Sequence, residues 1–278
     1  MFRSLLVKRT LLSALLIVLF ASIAHAADWP MYRCDPGRTG YTEAVLPMEL
    51  GLRWSFRLPG GVQPAWPGND RLLEDRAAQM VVAGGRVFFG SSTDGKVYAL
   101  DETTGQLEWT YSTDAPVRFA PAISEGRLFV ASDDGNLYAL SATSGRLLWK
   151  RRGGPDDRFV LGNERIISRW PARGGPVVVD GHVYFAAGIW PSEGIYLYAL
   201  NPTDGEVLWV NDDSGGMRMP QPHSGAEAES GVSAQGYLVA TGDRLLMPTG
   251  RAVPACFSRN DGTFQYFHLP RLLPKSRA

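Results

Sequence analysis

The chain lacks a dominant charge, a cysteine framework and helical patterning, and each absence removes a class of protein. Its 278 residues carry 28 basic and 28 acidic side chains, so the charge balance gives no support to nucleic acid or an anionic membrane surface as partner. Only two cysteines occur, Cys34 and Cys256. That is too few for a small disulfide-framework domain, and the sequence leaves open whether they pair. The four histidines form no metal-ligand spacing. There is no nucleophile elbow, no phosphate-cradling glycine loop and no Cys-x-x-Cys-His haem site. Beyond residue 26 no useful length of sequence follows the helical period.

What is present begins with a leader. MFRSLLVKR is a basic stretch, TLLSALLIVLFASIA an apolar one, and Ala24-His25-Ala26 a small-x-small cleavage site. Residues 1–26 are therefore expected to be a secretory signal peptide. The competing reading is a membrane anchor, for which the apolar run is short, since a span needs roughly 20 residues. The first cysteine does not stand at the cleavage point, so a lipoprotein is not expected. The mature chain, of about 250 residues, is long enough to bury a sizeable core without disulfides.

The mature chain repeats itself. YALDETTGQLEW at 98–109, YALSATSGRLLW at 138–149 and YALNPTDGEVLW at 198–209 are near copies, and Trp109 and Trp149 stand 40 residues apart. A second pattern precedes each copy: GGRVFFGS at 84–91, EGRLFVAS at 125–132, DGHVYFAA at 180–187 and, more weakly, GDRLLMPT at 242–249. The runs are short, rich in Val, Phe, Tyr and Leu, and punctuated by Gly, Asp and Ser, as in antiparallel strands, four to a unit. A four-stranded unit of about 40 residues that must lean on its neighbours is the size of a propeller blade.

Within a copy, Tyr98-Ala99-Leu100 reads as a strand and Asp101, Thr103, Thr104 and Gly105 as the turn, the polar side chains bonding local backbone and Gly105 free to take positive φ. Leu107 and Trp109 point to one face of the returning strand. Trp109, Trp149 and Trp209 are read as structural, each lying against a neighbouring blade. LRWSF at 52–56 looks like an outer strand without its blade, with Trp54 in the docking place. A fourth, eroded copy places Cys256, Ser258 and Tyr266 where Ala, Asp and Trp are expected.

Ala99, Asp101, Thr104, Gly105 and Trp109 resemble the tryptophan-docking motif A-x-D-x-x-T-G-x-x-x-W of the pyrroloquinoline quinone (PQQ) repeat. Ala199, Asn201, Gly205 and Trp209 keep that motif well, and Ala139, Gly145 and Trp149 keep it with Ser141 and Ser144 in the polar places. The repeat occurs in quinoprotein dehydrogenases and in the outer-membrane assembly factor BamB, and DWPMYRCDPGRTGYT at 28–42 is similar to the N-terminal segment of secreted BamB-like propellers. The resemblance implies an all-β propeller of about four readable four-stranded blades over residues 80–268. An N-terminal segment, 27–79, and an irregular tail, 269–278, would flank them. Propellers of this kind usually have eight blades, so an incomplete ring from a truncated chain is expected.

The repeat is broken between Trp149 and Trp209, which lie 60 residues apart. Most of the excess is KRRGGPDDRFVLGNERIISRWPARGG, 150–175, with seven basic residues against three acidic. Inserted loops on a rigid scaffold are where binding tends to sit. Arg118 and Arg173 occupy equivalent places, three residues ahead of Pro121 and Pro176. With Arg158, Asn163, Arg165, Arg169 and Trp170 they make a candidate binding rim, in which arginine takes a carboxylate or phosphate and Trp170 offers a stacking surface. The alternative is a solvated basic loop whose arginines pair with nearby carboxylates. Ile189–Gly194 lengthens the hairpin of the third unit, as a surface turn.

Two functions follow. The first is a non-catalytic periplasmic or secreted scaffold that binds a protein, peptide or cell-surface glycan, with no cofactor, no nucleic acid, no membrane span after cleavage, and possible association through exposed blade edges. The second is a PQQ-dependent alcohol dehydrogenase or a fragment of one. The resemblance would then call for calcium and its carboxylate and amide ligands beside the quinone, and no residue here can be matched to those ligands.

Overall fold

The computed structural model describes residues 28–61, 78–162, 165–221, 226–250 and 253–268. The expected signal peptide, most of the loop before residue 78, Asn163 and the tail from 269 lie outside the described residues.

Four sheets follow one another along the chain, each built on four consecutive antiparallel strands. The first holds β1 (Met80–Ala83), β2 (Arg86–Gly90), β3 (Lys96–Asp101) and β4 (Leu107–Ser112), and the second β5 (Ala122–Ser124), β6 (Arg127–Ala131), β7 (Asn136–Ser141) and β8 (Leu147–Arg152). A two-stranded hairpin, β9 (Phe159–Gly162) and β10 (Arg165–Ser168), leads to the third sheet of β11 (Gly174–Val179), β12 (His182–Ala187), β13 (Tyr196–Leu200) and β14 (Val207–Asn211). A second hairpin, β15 (Arg218–Pro220) and β16 (Glu227–Glu229), and a short β17 (Gly236–Tyr237) follow; β17 joins the third sheet as a parallel fifth strand beside β11. The fourth sheet is β18 (Val239–Thr241), β19 (Arg244–Met247), β20 (Ala255–Ser258) and β21 (Phe264–Tyr266). The one helical element among the described residues is a 3-10 turn at Pro191–Glu193.

This is a β-propeller, and its radial order can be read from burial. First strands touch first strands, β1 with β5, β5 with β11 and β11 with β18. The third strands β3 and β7 are buried along their length, while β4, β8 and β14 alternate between exposed and half-buried, as outer strands with one solvent face do.

Adjacent blades are joined by the repeated tryptophan. The Trp109 indole Nε1 donates to the Ala142 carbonyl at 3.1 Å, Trp149 to Pro202 at 3.1 Å and Trp209 to Arg259 at 3.1 Å. Each bond crosses to the turn of the following blade. On its own blade each indole is tilted against an aromatic of the second strand, Phe88, Phe129 and Tyr184, with centroids 5.8, 5.9 and 5.8 Å apart. Aromatic pairs of this geometry contribute about 0.5–1.5 kcal/mol beyond their buried area. Trp54 does the same for the first blade, donating to Glu102 at 2.9 Å, although residues 52–56 pair with no strand among the described residues. The turns themselves are closed locally: Asp101 Oδ1 accepts from Thr103 N, Thr104 N and Thr104 Oγ1 at 3.0, 2.7 and 2.8 Å.

The inner strands are held together by residues 29–38. Trp29 bridges Val82 on β1, the Pro30 carbonyl accepts from Ile123 on β5 at 2.8 Å, and the Pro36 carbonyl accepts from Ala240 on β18 at 2.9 Å. Arg38 completes the set. Its Nη2 donates to Pro176 on β11, its Nε to Leu238 beside β18 and its Nη1 to Tyr32, each at 2.9 Å. Arg38 is buried, and burial lowers its pKa to about 10, which leaves it cationic at neutral pH. One short segment thus touches the innermost strand of every blade.

Candidate functional site

Because strands alternate in direction, loops joining second to third strands and loops joining one blade to the next emerge at the same end of the propeller. The tryptophan-docking turns emerge at the other. Arg118, the β2–β3 turn carrying Asp94, the β6–β7 turn carrying Asp133 and Asp134, the β9–β10 hairpin and the Trp190–Glu193 turn therefore share one end.

At that end Arg118 and Arg173 converge on a single carboxylate. Arg118 Nε lies 2.5 Å from Asp133 Oδ2, while Arg173 places Nε 2.9 Å from Oδ1 and Nη2 3.0 Å from Oδ2. Asp133 is 1% exposed, so this is an internal charge cluster binding the loops on either side of the second blade to that blade's own turn. The guanidinium groups are thereby turned inward rather than presented as a pair to solvent.

The neighbouring carboxylates are also engaged. Asp94 accepts from the Tyr98 hydroxyl and Asp134 from the Tyr138 hydroxyl, both at 2.6 Å. Asp134 further accepts from the Asp114 and Asn136 amides. Burial, and then the carboxylate beside them, raises both phenols above the usual tyrosine range. The repeated Asp-Gly-x-x-Tyr of DGKVY and DGNLY signals this pair in the sequence. Asp133 has no such signal, because Thr93 stands in its place in the first blade.

The insertion is less of a loop than its length suggests. Lys150, Arg151 and Arg152 belong to β8, and Arg151 donates through Nε and Nη2 to the Gly205 carbonyl of the next blade at 3.1 and 2.9 Å. Beyond them β9 and β10 form their own hairpin. Arg165 reaches the Thr93 carbonyl of the first blade at 3.0 Å. Arg158 pairs with Asp156 at 2.8 Å, and Arg169 with Glu193. Both guanidinium groups sit against the Trp170 ring, at 5.3 and 5.6 Å from its centroid. Trp170 is 3% exposed and donates to the Glu193 carbonyl at 2.6 Å. Its ring is a buried strut tying the hairpin to the Trp190–Glu193 turn.

What stays open is the hairpin's outer face. Phe159, Leu161 and Ile166 are exposed, with Leu161 paired across to Ile166, while Ile167 on the opposite face is buried. An open cleft of about 470 Å³ runs beside it, lined by Val160, Leu161, Arg169, Trp190, Ser192 and Glu193.

Among the described residues no donor set fits PQQ-bound calcium. Among the described residues no group of three or more His, Cys, Asp or Glu side chains is placed to hold a metal ion. At the loop end Asp94 and Asp134 are taken by Tyr98 and Tyr138, and Asp133 by the two arginines. No helix among the described residues is long and apolar enough to cross a membrane.

A family model described as outer membrane protein assembly factor BamB matches residues 51–169. No curated protein matches the chain. Among solved structures, the quinohemoprotein alcohol dehydrogenase from Comamonas testosteroni is 19% identical with a TM-score of 0.59, over 88% of this chain and 42% of that one. A europium-containing methanol dehydrogenase is 16% identical with a TM-score of 0.59, over 88% and 49%. BamB from Moraxella catarrhalis is 18% identical with a TM-score of 0.41, over 66% and 61%. At these identities the likeness is one of fold. The chain spans less than half the length of the two dehydrogenases.

Proposed function

We propose that this chain, a β-propeller built from repeats of the PQQ type, is a non-catalytic scaffold that binds a protein or peptide partner through its loop end. One observation carries the reading. Asp133, Asp94 and Asp134 at that end are held by arginine and tyrosine partners of the chain itself, whereas the inserted hairpin keeps Phe159, Leu161 and Ile166 in solvent. Groups paired in that way are poorly placed for acid–base or metal chemistry, and exposed large apolar side chains on an ordered element favour association. The BamB description of the matching family, an assembly factor, points the same way. The leader-like N-terminus adds a periplasmic or secreted location.

The quinoprotein reading makes the opposite demand and supplies the test. Purified chain supplied with PQQ and calcium is expected to show no bound-quinone absorption band and no alcohol-dependent dye reduction. The appearance of both would overturn the scaffold reading.

A further inference from the structure

The hairpin has an edge as well as a face. Arg169 N donates to the Arg158 carbonyl at 2.8 Å, while Arg158 N donates to Asp156 Oδ1 at 3.0 Å, so a single bond at the base of the β9–β10 ladder places Arg158 and Arg169 at a bonding position. In an antiparallel ladder such pairs alternate with non-bonded ones. From the register, Val160 and Gly162 therefore turn their backbone groups toward β10, and Phe159 and Leu161 turn theirs away from it. The two edges differ. On β10 the outward amide of Ser168 donates to the Asp133 carbonyl at 2.8 Å and is closed by the second blade. On β9 no further strand pairs among the described residues, and Val160 and Leu161 line the cleft toward Trp190.

We propose that the open edge of β9 takes an extended segment of a partner protein as a third strand, the segment carrying apolar side chains in alternation with carboxylates. This rests on the scaffold reading and specifies its partner. The Phe159 and Leu161 backbone groups supply two donors and two acceptors in strand geometry, which is the basis of recognition by strand addition. Phe159, Leu161 and Ile166 give the apolar half of the contact on the outer face. Arg158, with 58% of its side chain exposed, and Arg169, with 32%, each hold one carboxylate of this chain, Asp156 and Glu193, and keep further guanidinium N–H groups for a second carboxylate from the segment.

The test uses the full mature chain as bait for a phage-displayed library of random dodecapeptides. The expected result is enrichment of peptides that alternate apolar residues with Asp or Glu. Their synthetic versions should bind about tenfold or more weakly to a Leu161→Glu/Ile166→Glu variant, and binding to wild type should weaken with added salt. Both substitutions fall on exposed positions, so an unchanged melting transition is the folding control, and Arg158→Glu gives an independent variant that should lose acidic peptides alone. No enrichment, or enrichment of basic or helically patterned peptides, overturns the proposal. Peptides that bind wild type and double variant equally also overturn it while leaving the scaffold reading in place, because the chain would then bind peptides elsewhere. A bound-quinone band, by contrast, removes the scaffold reading itself.

Discussion

The Trp109 indole lies so closely over Gly145, the turn glycine of the next blade, that an ideal Cβ on that glycine would stand 2.6 Å from the ring. Gly145 also has φ of +69°. The same pair recurs as Trp54 over Gly105, Trp149 over Gly205 and Trp209 over Gly262. The repeated glycine therefore meets two demands at once, a left-handed backbone and a flat surface for the neighbouring indole, and the motif's Gly and Trp act on different blades.

Gly145→Ala should be more destabilising than backbone strain alone explains. Gly126, at φ +72°, has nothing within 4 Å of a would-be Cβ, so Gly126→Ala measures the strain by itself. That cost is about 1–2 kcal/mol. At Gly145 a further 1–3 kcal/mol is expected from displacing the indole. Urea unfolding of both variants checks this, and equal costs would show that the indole is not held against the turn.

How much of this was legible follows from the same pairs. The period of 40 residues, the strand runs and the turn chemistry of Asp101 and Thr104 are written locally, so four four-stranded blades could be read from sequence. The eroded fourth copy remained readable because Gly262, which receives Trp209, is retained although Tyr266 replaces the tryptophan. What could not be read was anything set by approach between units. Arg118 and Arg173 are recognisable as equivalent, but Asp133, which both of them grip, breaks the repeat and looks like any turn aspartate. Trp170 reads as a stacking surface in a basic loop, and only the fold places it under Arg158 and Arg169 with its nitrogen on Glu193. Likewise the role of Arg38 depends on carbonyls as distant in sequence as Pro176 and Leu238.

Asp133→Asn should cost roughly 3–5 kcal/mol, the usual range when one partner of a buried ion pair is removed and uncompensated charge remains. Here two guanidinium groups lose their carboxylate, and the Arg118 side chain is only 7% exposed. Because the cluster is shielded from solvent, the loss should change little with ionic strength. Chemical unfolding in low and high salt separates this from a surface effect, which salt would screen.

Alkaline pH should destabilise the third blade through Tyr198. Its hydroxyl donates to the Gly153 carbonyl at 3.1 Å, and its ring stacks on Phe185 with centroids 5.1 Å apart. Burial foremost, and then Tyr196 and Asp212, push the phenol up to about 12 from 10, against the opposing pull of Arg151 and Arg152. A folded pKa above the unfolded one contributes stability that is fully present below pH 10 and is lost as pH rises through 12. Tyr198→Phe should therefore be the less stable protein at neutral pH, by about 1 kcal/mol for the lost hydrogen bond. The gap should close as pH rises through that window. Denaturation midpoints of the two proteins across it, staying parallel, would contradict the assignment.

The segment that touches every innermost strand makes a prediction about distance. Arg38→Lys keeps the charge but replaces a planar fork by a single ammonium, which cannot serve the Leu238, Tyr32 and Pro176 carbonyls together. Carbonyls that lose a charged donor in the interior cost on the order of 3 kcal/mol in sum. If residues 29–38 act as one tie, the loss cannot stay on the third and fourth blades. The Val82 amide on the first blade and the Ile123 amide on the second donate to Trp29 and Pro30 of the same segment, and both should lose hydrogen-exchange protection along with Ala240. The Gly105 and Gly145 amides, closed within their own turns onto Asp101 and Ser141, should keep theirs. Deprotection confined to the neighbourhood of Leu238 would mean that each blade holds its own stretch of the segment independently, and that residues 29–38 are not a common tie.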